Sequence, residues 1–125
     1  MLATHSVFPM IAVKNMEKAR KFYENVLGLA PVSPRENGQV AVYESGRAKL
    51  AVYVSNYAGT NQATAASWEV EDVDGEVKVL KARGVSFEHY DMPGMKRQGE
   101  VHVSDGMKNA WFKDPDGNIL GIVGH

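Results

Sequence analysis

Apolar and polar positions alternate along the chain with two different periods. Phe8 to Val13 (FPMIAV) is a short apolar run of strand length. Asn15, a residue type whose side chain caps helix N-termini, opens a segment with apolar residues at Met16, Ala19, Phe22, Tyr23, Val26 and Leu27. Spacings of three and four define one face of a helix. Gly28 predicts its end, and Pro31 and Pro34 break the chain beyond it. QVAVYE (39–44) and KLAVYVS (49–55) then alternate with period two around a turn at Ser45-Gly46, the pattern of paired strands. The predicted order is strand, helix, then three strands.

After a polar, small-residue stretch (NYAGTNQATAA, 56–66), the order recurs. SWEVEDV (67–73) predicts a strand, and Asp72 or Asp74 caps a helix with Val73, Val77 and Leu80 inward. Gly84 ends that helix, and strands follow at VSFEHYDM (85–92), NAWFK (109–113) and ILGIV (119–123). Val13-Lys14-Asn15 matches Val70-Glu71-Asp72 at a shift of 57, Gly28 matches Gly84 at 56, and Gly46 matches Gly117 at 71. The extra residues, about 14, fall in MPGMKRQGEVHVSDGM (92–107), which reads as a long loop or lid. A single four-stranded module leaves one sheet face uncovered, so the two must share a core or curl around a hollow. The expected layout is one α+β domain over 1–125, with module one at 1–57, a linker at 58–64 and module two at 65–125.

At 125 residues the chain can bury roughly two thirds of its unfolded surface and needs no staples. Its 14 basic and 15 acidic residues are scattered, with a formal net charge of −1, so no basic stripe suggests nucleic acid. Cysteine is absent, which excludes disulfides, thiolate metal sites and a cysteine nucleophile and fits the cytoplasm. The segment MLATHSVFPM has no signal-peptide pattern, and no apolar run has membrane-spanning length. No G-x-S-x-G, glycine-rich phosphate loop or paired histidine motif is present.

The stretches KNMEKARKFYENVLGL and AWFKDPDGNILGI, together with the repeat, resemble the vicinal oxygen chelate superfamily, also called the glyoxalase, bleomycin-resistance and extradiol dioxygenase superfamily. The resemblance covers nearly the whole chain. It implies two βαβββ modules whose eight strands form an incomplete barrel around a pocket. Catalytic members hold a divalent metal by residues from the first and last strands of each module, typically His or Glu. Carried over by the repeat, those positions are Phe8, Leu50, Ala65 and Gly121. None of these side chains donates to a metal, so the resemblance implies no metal and no cofactor. Losing the set together is expected, because a lone carboxylate in an apolar hollow is costly.

Period-two parity places Phe8, Met10, Ala12, Ser67, Glu69, Ile119, Gly121 and Val123 toward the hollow. Pro9, Ile11, Trp68, Val70, Leu120 and Ile122 then face the helices. The resemblance also places a substrate-contacting aromatic three residues before Asp114, which is Trp111, with Lys113 on the same side. The candidate ligand-binding residues are Phe8, Met10, Ser67, Glu69 and Trp111, an apolar and aromatic floor suited to a flat small molecule. Met10 fits core filling equally well, and Glu69 offers a counter-charge to a cation.

His5 and His125 are expected to be exposed. His89 with Asp91, and Glu100 with His102, are either an improvised acid-base or metal cluster or polar residues on a solvated strand edge and loop, the latter being favoured. Asp114 and Asp116 in DPDGN do not make a calcium loop, because its twelfth position would be His125 rather than Glu. They read as turn residues.

The favoured function is a metal-independent protein that sequesters a small apolar, aromatic or antibiotic-like molecule, with no catalytic residue. The alternative is a lyase or isomerase using Glu69 or His102 as general base, or an enzyme with unrecognised metal ligands; a module that binds a partner protein is a third. Modules of this type usually assemble in pairs, so a homodimer is expected, with the pocket or the 92–107 lid completed by the second subunit.

Overall fold

The computed structural model describes residues 1–32 and 38–125, and the sequence repeat reappears in it as two sheets. In module one, β1 (Met10–Val13), β2 (Ala30–Pro31), β3 (Val40–Ser45) and β4 (Ala48–Val54) are ordered β1-β4-β3-β2. In module two, β5 (Thr64–Val70), β10 (Ile119–Gly124), β9 (Met107–Lys113), β8 (Val101–Ser104) and β7 (Lys96–Gln98) lie in that order, and β6 (Phe87–Glu88) also pairs with β9. The first and last strands of each module are parallel, with Met10 opposite Ala51 and Ser67 opposite Gly121. Neither sheet closes into a barrel.

Among the described residues there are ten strands rather than eight. The two additional ones come from the segment expected to be a long loop: Lys96–Gln98 and Val101–Ser104 pair as a hairpin. The strand expected over 85–92 shrinks to Phe87–Glu88 because the Tyr90 amide donates to the side chain of His102 (3.0 Å) instead of continuing a ladder. Pro31 sits in edge strand β2, where a missing N–H breaks nothing in the sheet interior. Pro34 lies outside the described residues.

Both helices begin at the expected caps. Asn15 Oδ1 accepts from the Lys18 amide at the head of α1 (Met16–Arg20), and Asp72 Oδ1 accepts from Gly75 at the head of α2 (Val73–Ala82), each at 3.0 Å. The first helix then widens into a π-helical turn over Lys21–Val26. That turn aims two adjacent aromatics into the interior: Tyr23 stacks on Tyr43 of module one, and Phe22 meets Phe112 of module two, both with centroids 6.3 Å apart. One apolar cluster joins both helices to both sheets, including Ile11, Val13, Leu50, Val52, Val77, Leu80, Leu120 and Ile122. The expected inward parity of Ile11, Leu120 and Ile122 is therefore what the structure has.

The DPDGN turn joins the modules. Asp114 is buried, and its carboxylate accepts four hydrogen bonds. Tyr23 Oη (2.7 Å) and Asn118 Nδ2 (2.8 Å) donate to one oxygen, and the amides of Asp116 and Asn118 (2.9 Å each) donate to the other. Asn118 Nδ2 also donates to Ala12 O (2.7 Å), and Asp116 accepts from the Lys14 amide (3.1 Å). Ala12 and Lys14 belong to or adjoin β1, an edge strand whose free backbone groups need partners. The turn thus covers the open edge of module one. Gly59, at φ +73, lies so close to the Asp116 carbonyl that a Cβ would overlap it. Burial and the adjacent Asp114 carboxylate push the Tyr23 hydroxyl far above its ordinary pKa, which keeps it a proton donor.

A hydrogen bond to a charged group contributes about 1.5–3 kcal/mol, and orphaning several buried donors costs more. Tyr23→Phe is expected to lower unfolding stability by about 1.5–3 kcal/mol and Asp114→Ala by over ~3 kcal/mol. Urea unfolding of the two variants checks this; equal, small effects would show that the carboxylate does not hold the modules together.

Candidate functional site

Alternation gives each sheet an outer face turned away from the shared core. On module one this face carries Met10, Ala12, Ala51 and Tyr53, with Phe8 on the same parity just before β1. On module two it carries Ser67, Glu69, Gly121, Trp111 and Lys113, with His102 opposite Asn109 on β8. Phe8 and Met10 are 44% and 57% exposed, so Met10 is not core filling in this chain.

Ser67 and Glu69 line a cavity of about 360 Å³, together with Pro9, Lys49 and Leu50 of module one. Phe8, Met10 and Trp111 are outside its lining. A second cavity, about 210 Å³, lies on the core side between Leu27, Leu80 and Phe112. Trp68 and Ser45 border both, joined by a hydrogen bond from Trp68 Nε1 to Ser45 Oγ (2.8 Å). The structure therefore brings Ser67 and Glu69 together at one cavity, and joins Ser67 to Trp111 separately, across Gly121.

Gly121 is opposite Trp111 on one side and Ser67 on the other. A Cβ built there would lie 2.6 Å from Ser67 Oγ and 3.3 Å from both Cδ1 and Nε1 of Trp111. The glycine is thus a seat for the indole. One of the four positions carried over from the family needs correction. Leu50 is a core residue, equivalent to Leu120; the partner of Gly121 in the repeat is Ala51, which faces Met10 as Gly121 faces Ser67. Counting from the turn glycine is one residue out because the two hairpins close differently: Ser45 pairs with Ala48 across two residues, whereas Lys113 pairs with Ile119 across five. Ala65 is the residue skipped on β5 where its pairing with β10 shifts, between Thr64 and Ala66. With Ala51 in place of Leu50 the set still offers no donor, and a side chain at 121 would have to displace Ser67 Oγ and shift the Trp111 indole. The residues present do not fit a divalent metal. Among the described residues no three His, Asp or Glu side chains are grouped to hold one.

The histidines divide. His5 and His125 are exposed, as expected. His89 is exposed and its Nε2 pairs with Glu100, which also meets Lys81 Nζ at 3.3 Å. Asp91 is exposed nearby. His102, expected on a solvated edge, is instead 1% exposed. Its ring meets Trp111 edge-on at 4.9 Å, and Tyr90 meets Trp111 at 5.5 Å. His102 Nε2 accepts from the Tyr90 amide, so the proton of the neutral ring is on Nδ1. The nitrogen that a general base would use is already occupied. Among the described residues nothing pairs with His102 Nδ1 or the Tyr90 hydroxyl, although both atoms are buried; each such orphan costs about 1–3 kcal/mol. Burial, and then the Glu88 carboxylate, raise the Tyr90 pKa against the opposing charge of Lys113. Sequence reasoning did not single out Tyr90, because its role comes from the backbone leaving β6 and no periodicity marks that.

Two modules built on a βαβββ order, the second enlarged by the β7–β8 hairpin, an Asp-Pro-Asp-Gly-Asn turn at their junction and an aromatic face beside it define a small protein of paired-module architecture. The chain belongs to the Glyoxalase/Bleomycin resistance protein/Dioxygenase superfamily, whose family model matches residues 5–122. The structure is similar to the glyoxalase family protein from Enterococcus faecalis (TM-score 0.73, 17% identity, 98% of this chain and 99% of that chain). It is also similar to lactoylglutathione lyase from Agrobacterium tumefaciens (0.71, 18%, 97% and 93%). A third similar structure is TnmS3, an antibiotic binding protein from Streptomyces sp. CB03234 (0.62, 23%, 95% and 95%). At these identities the likeness is one of fold. No curated protein matches the chain. Among the described residues no helix is long and apolar enough to cross a membrane.

Adding a methyl group at Gly121 overpacks the seat, a change that costs roughly 1–3 kcal/mol. Gly121→Ala should therefore destabilise the protein, and Trp111→Ala should recover part of that loss in the double variant; a strictly additive pair in a thermal-unfolding cycle would refute the contact. The hydrogen bond from His89 holds the Glu100 carboxyl below its ordinary value of 4.5. Its contribution is thus present above that value and lost as pH falls through the lower folded-state pKa. The stability difference between wild type and Glu100→Gln should be present at neutral pH and shrink progressively as pH falls below 4.5; a difference independent of pH in acid melts would contradict it.

Proposed function

We propose that this protein is a metal-independent binding protein that sequesters a small, largely aromatic molecule on the outer face of module two. The observation that carries this reading is the indole of Trp111 seated over Gly121. A flat apolar surface occupies the place where catalytic relatives need a carboxylate. Ser67 and Glu69 supply hydrogen-bonding and charged groups beside it, and stacking on Trp111 supplies most of the affinity. The antibiotic-binding neighbour TnmS3 makes an antibiotic-like ligand a reasonable first class to try. The lack of cysteine fits action in a reducing cytoplasm.

The seat is completed in this reading by a second copy of the chain. Phe8, Met10 and Val40 expose apolar surface on the module-one face, and an exposed apolar patch of this kind commonly marks an interface. A homodimer that sets this face over Trp111 of the other subunit gives Phe8 and Met10 their place in the ligand site.

A fluorescence and thermal-shift screen of planar aromatic compounds, in the presence of EDTA, tests both parts. A binder should perturb Trp111 emission and stabilise the protein by about 2.7 kcal/mol at a hundredfold excess over Kd, with the response lost in Trp111→Ala. Light scattering should give a dimer that Met10→Asp converts to monomer. A response abolished by EDTA, or a monomeric wild type, would overturn the corresponding part.

A further inference from the structure

The most informative unexplained feature is a pair of buried polar atoms beside Trp111. His102 is a neutral donor whose free proton is fixed on Nδ1, because Nε2 accepts from the Tyr90 amide at 3.0 Å. Its ring is held against the indole at 4.9 Å, and no described residue accepts from Nδ1. Tyr90 also packs edge-on against Trp111 and has an unpartnered hydroxyl. The bond that fixes the His102 ring uses the Tyr90 amide and not its side chain, so a turn of the phenol leaves that bond intact. The charges on this sheet face balance: Arg97, opposite His102, and Lys113, which pairs with Glu88 at 3.5 Å, offset Glu69 and Glu88, so no net positive charge selects an anion.

We propose that His102 is the specificity-determining residue of the Trp111 seat, donating its Nδ1–H to a neutral carbonyl oxygen on a planar aromatic ligand once the Tyr90 phenol has turned aside. The ligand class is therefore an uncharged aryl carbonyl compound rather than a hydrocarbon or a carboxylate. The ligand ring replaces the Tyr90 edge against Trp111, and its oxygen satisfies a donor that is orphaned in the free protein. A ligand of equal shape without the oxygen leaves that donor buried and unpaired, which is how sites of this kind discriminate. This assignment rests on the reading of Trp111 as a ligand seat.

The test compares 2-acetylnaphthalene, 2-isopropenylnaphthalene and 2-naphthoate, which share shape and differ in the acceptor. Wild type should bind the acetyl compound about tenfold more tightly than the isopropenyl compound, and more tightly than the carboxylate. His102→Asn, which keeps an N–H near the Nδ1 position, should retain that preference, and His102→Phe should lose it. Ring ¹⁵N spectra of the wild type provide a readout that needs no variant to fold. They should show Nδ1 protonated in the free protein and shifted by the acetyl compound but not by the isopropenyl compound. Equal affinities with Trp111 quenching by both compounds would overturn the role of His102 and leave the stacking seat standing. No quenching by any of the three would count against the seat itself.

Discussion

The carboxylate of Asp114 is where the two modules become one structure. Each module alone is a sheet with one helix, an edge strand with unpaired backbone groups and an apolar face too small to be stable by itself. The carboxylate takes a proton donor from the helix of module one and three donors from its own turn. So organised, the turn presents Asn118 and Asp116 to Ala12 and Lys14 on the β1 edge. A buried charge is tolerated here because every oxygen is satisfied. The π-helical widening belongs to the same device, since it lets Tyr23 reach the carboxylate while its neighbour Phe22 packs on Phe112.

This arrangement also explains why the outer faces are open. Both helices and the inner sheet faces are spent on one apolar cluster, so Trp111, Ser67, Glu69, Phe8 and Met10 are left on surfaces that the chain does not cover itself. Partial closure on the module-two side comes from the 96–104 hairpin, which carries His102 in and is tied back through Glu100 to His89 and Lys81.

Much of the fold was legible because local signals agreed with one another. Asn15 and Asp72 are caps in both sequence and structure, the helical stripes point inward, and the repeat offsets locate matching strands. The paired appearance of Phe22-Tyr23 and DPDGN was legible as a pattern, but its cause, a hydrogen bond between residues 91 positions apart, was not. The hairpin at 96–104 was hidden by its glycine and charge content, because a short exposed strand has no apolar alternation to show. In the site, parity put Ser67 and Glu69, and the resemblance put Trp111, on the face where strand pairing has them, whereas Leu50 was misplaced by one residue because the lengths of the two hairpin turns differ. His102 reads as a surface histidine in sequence. Its burial is a property of what Tyr90 and Trp111 do around it.

Gly121 and Trp111 are coupled through the space they share. A side chain at 121 would have to displace Ser67 Oγ and shift the indole edge by a few tenths of an ångström, so the residue at 121 and the size of the residue at 111 constrain each other. A larger group is accommodated at one position most easily when the other becomes smaller, and the stacking surface is thereby set by the pair and not by Trp111 alone.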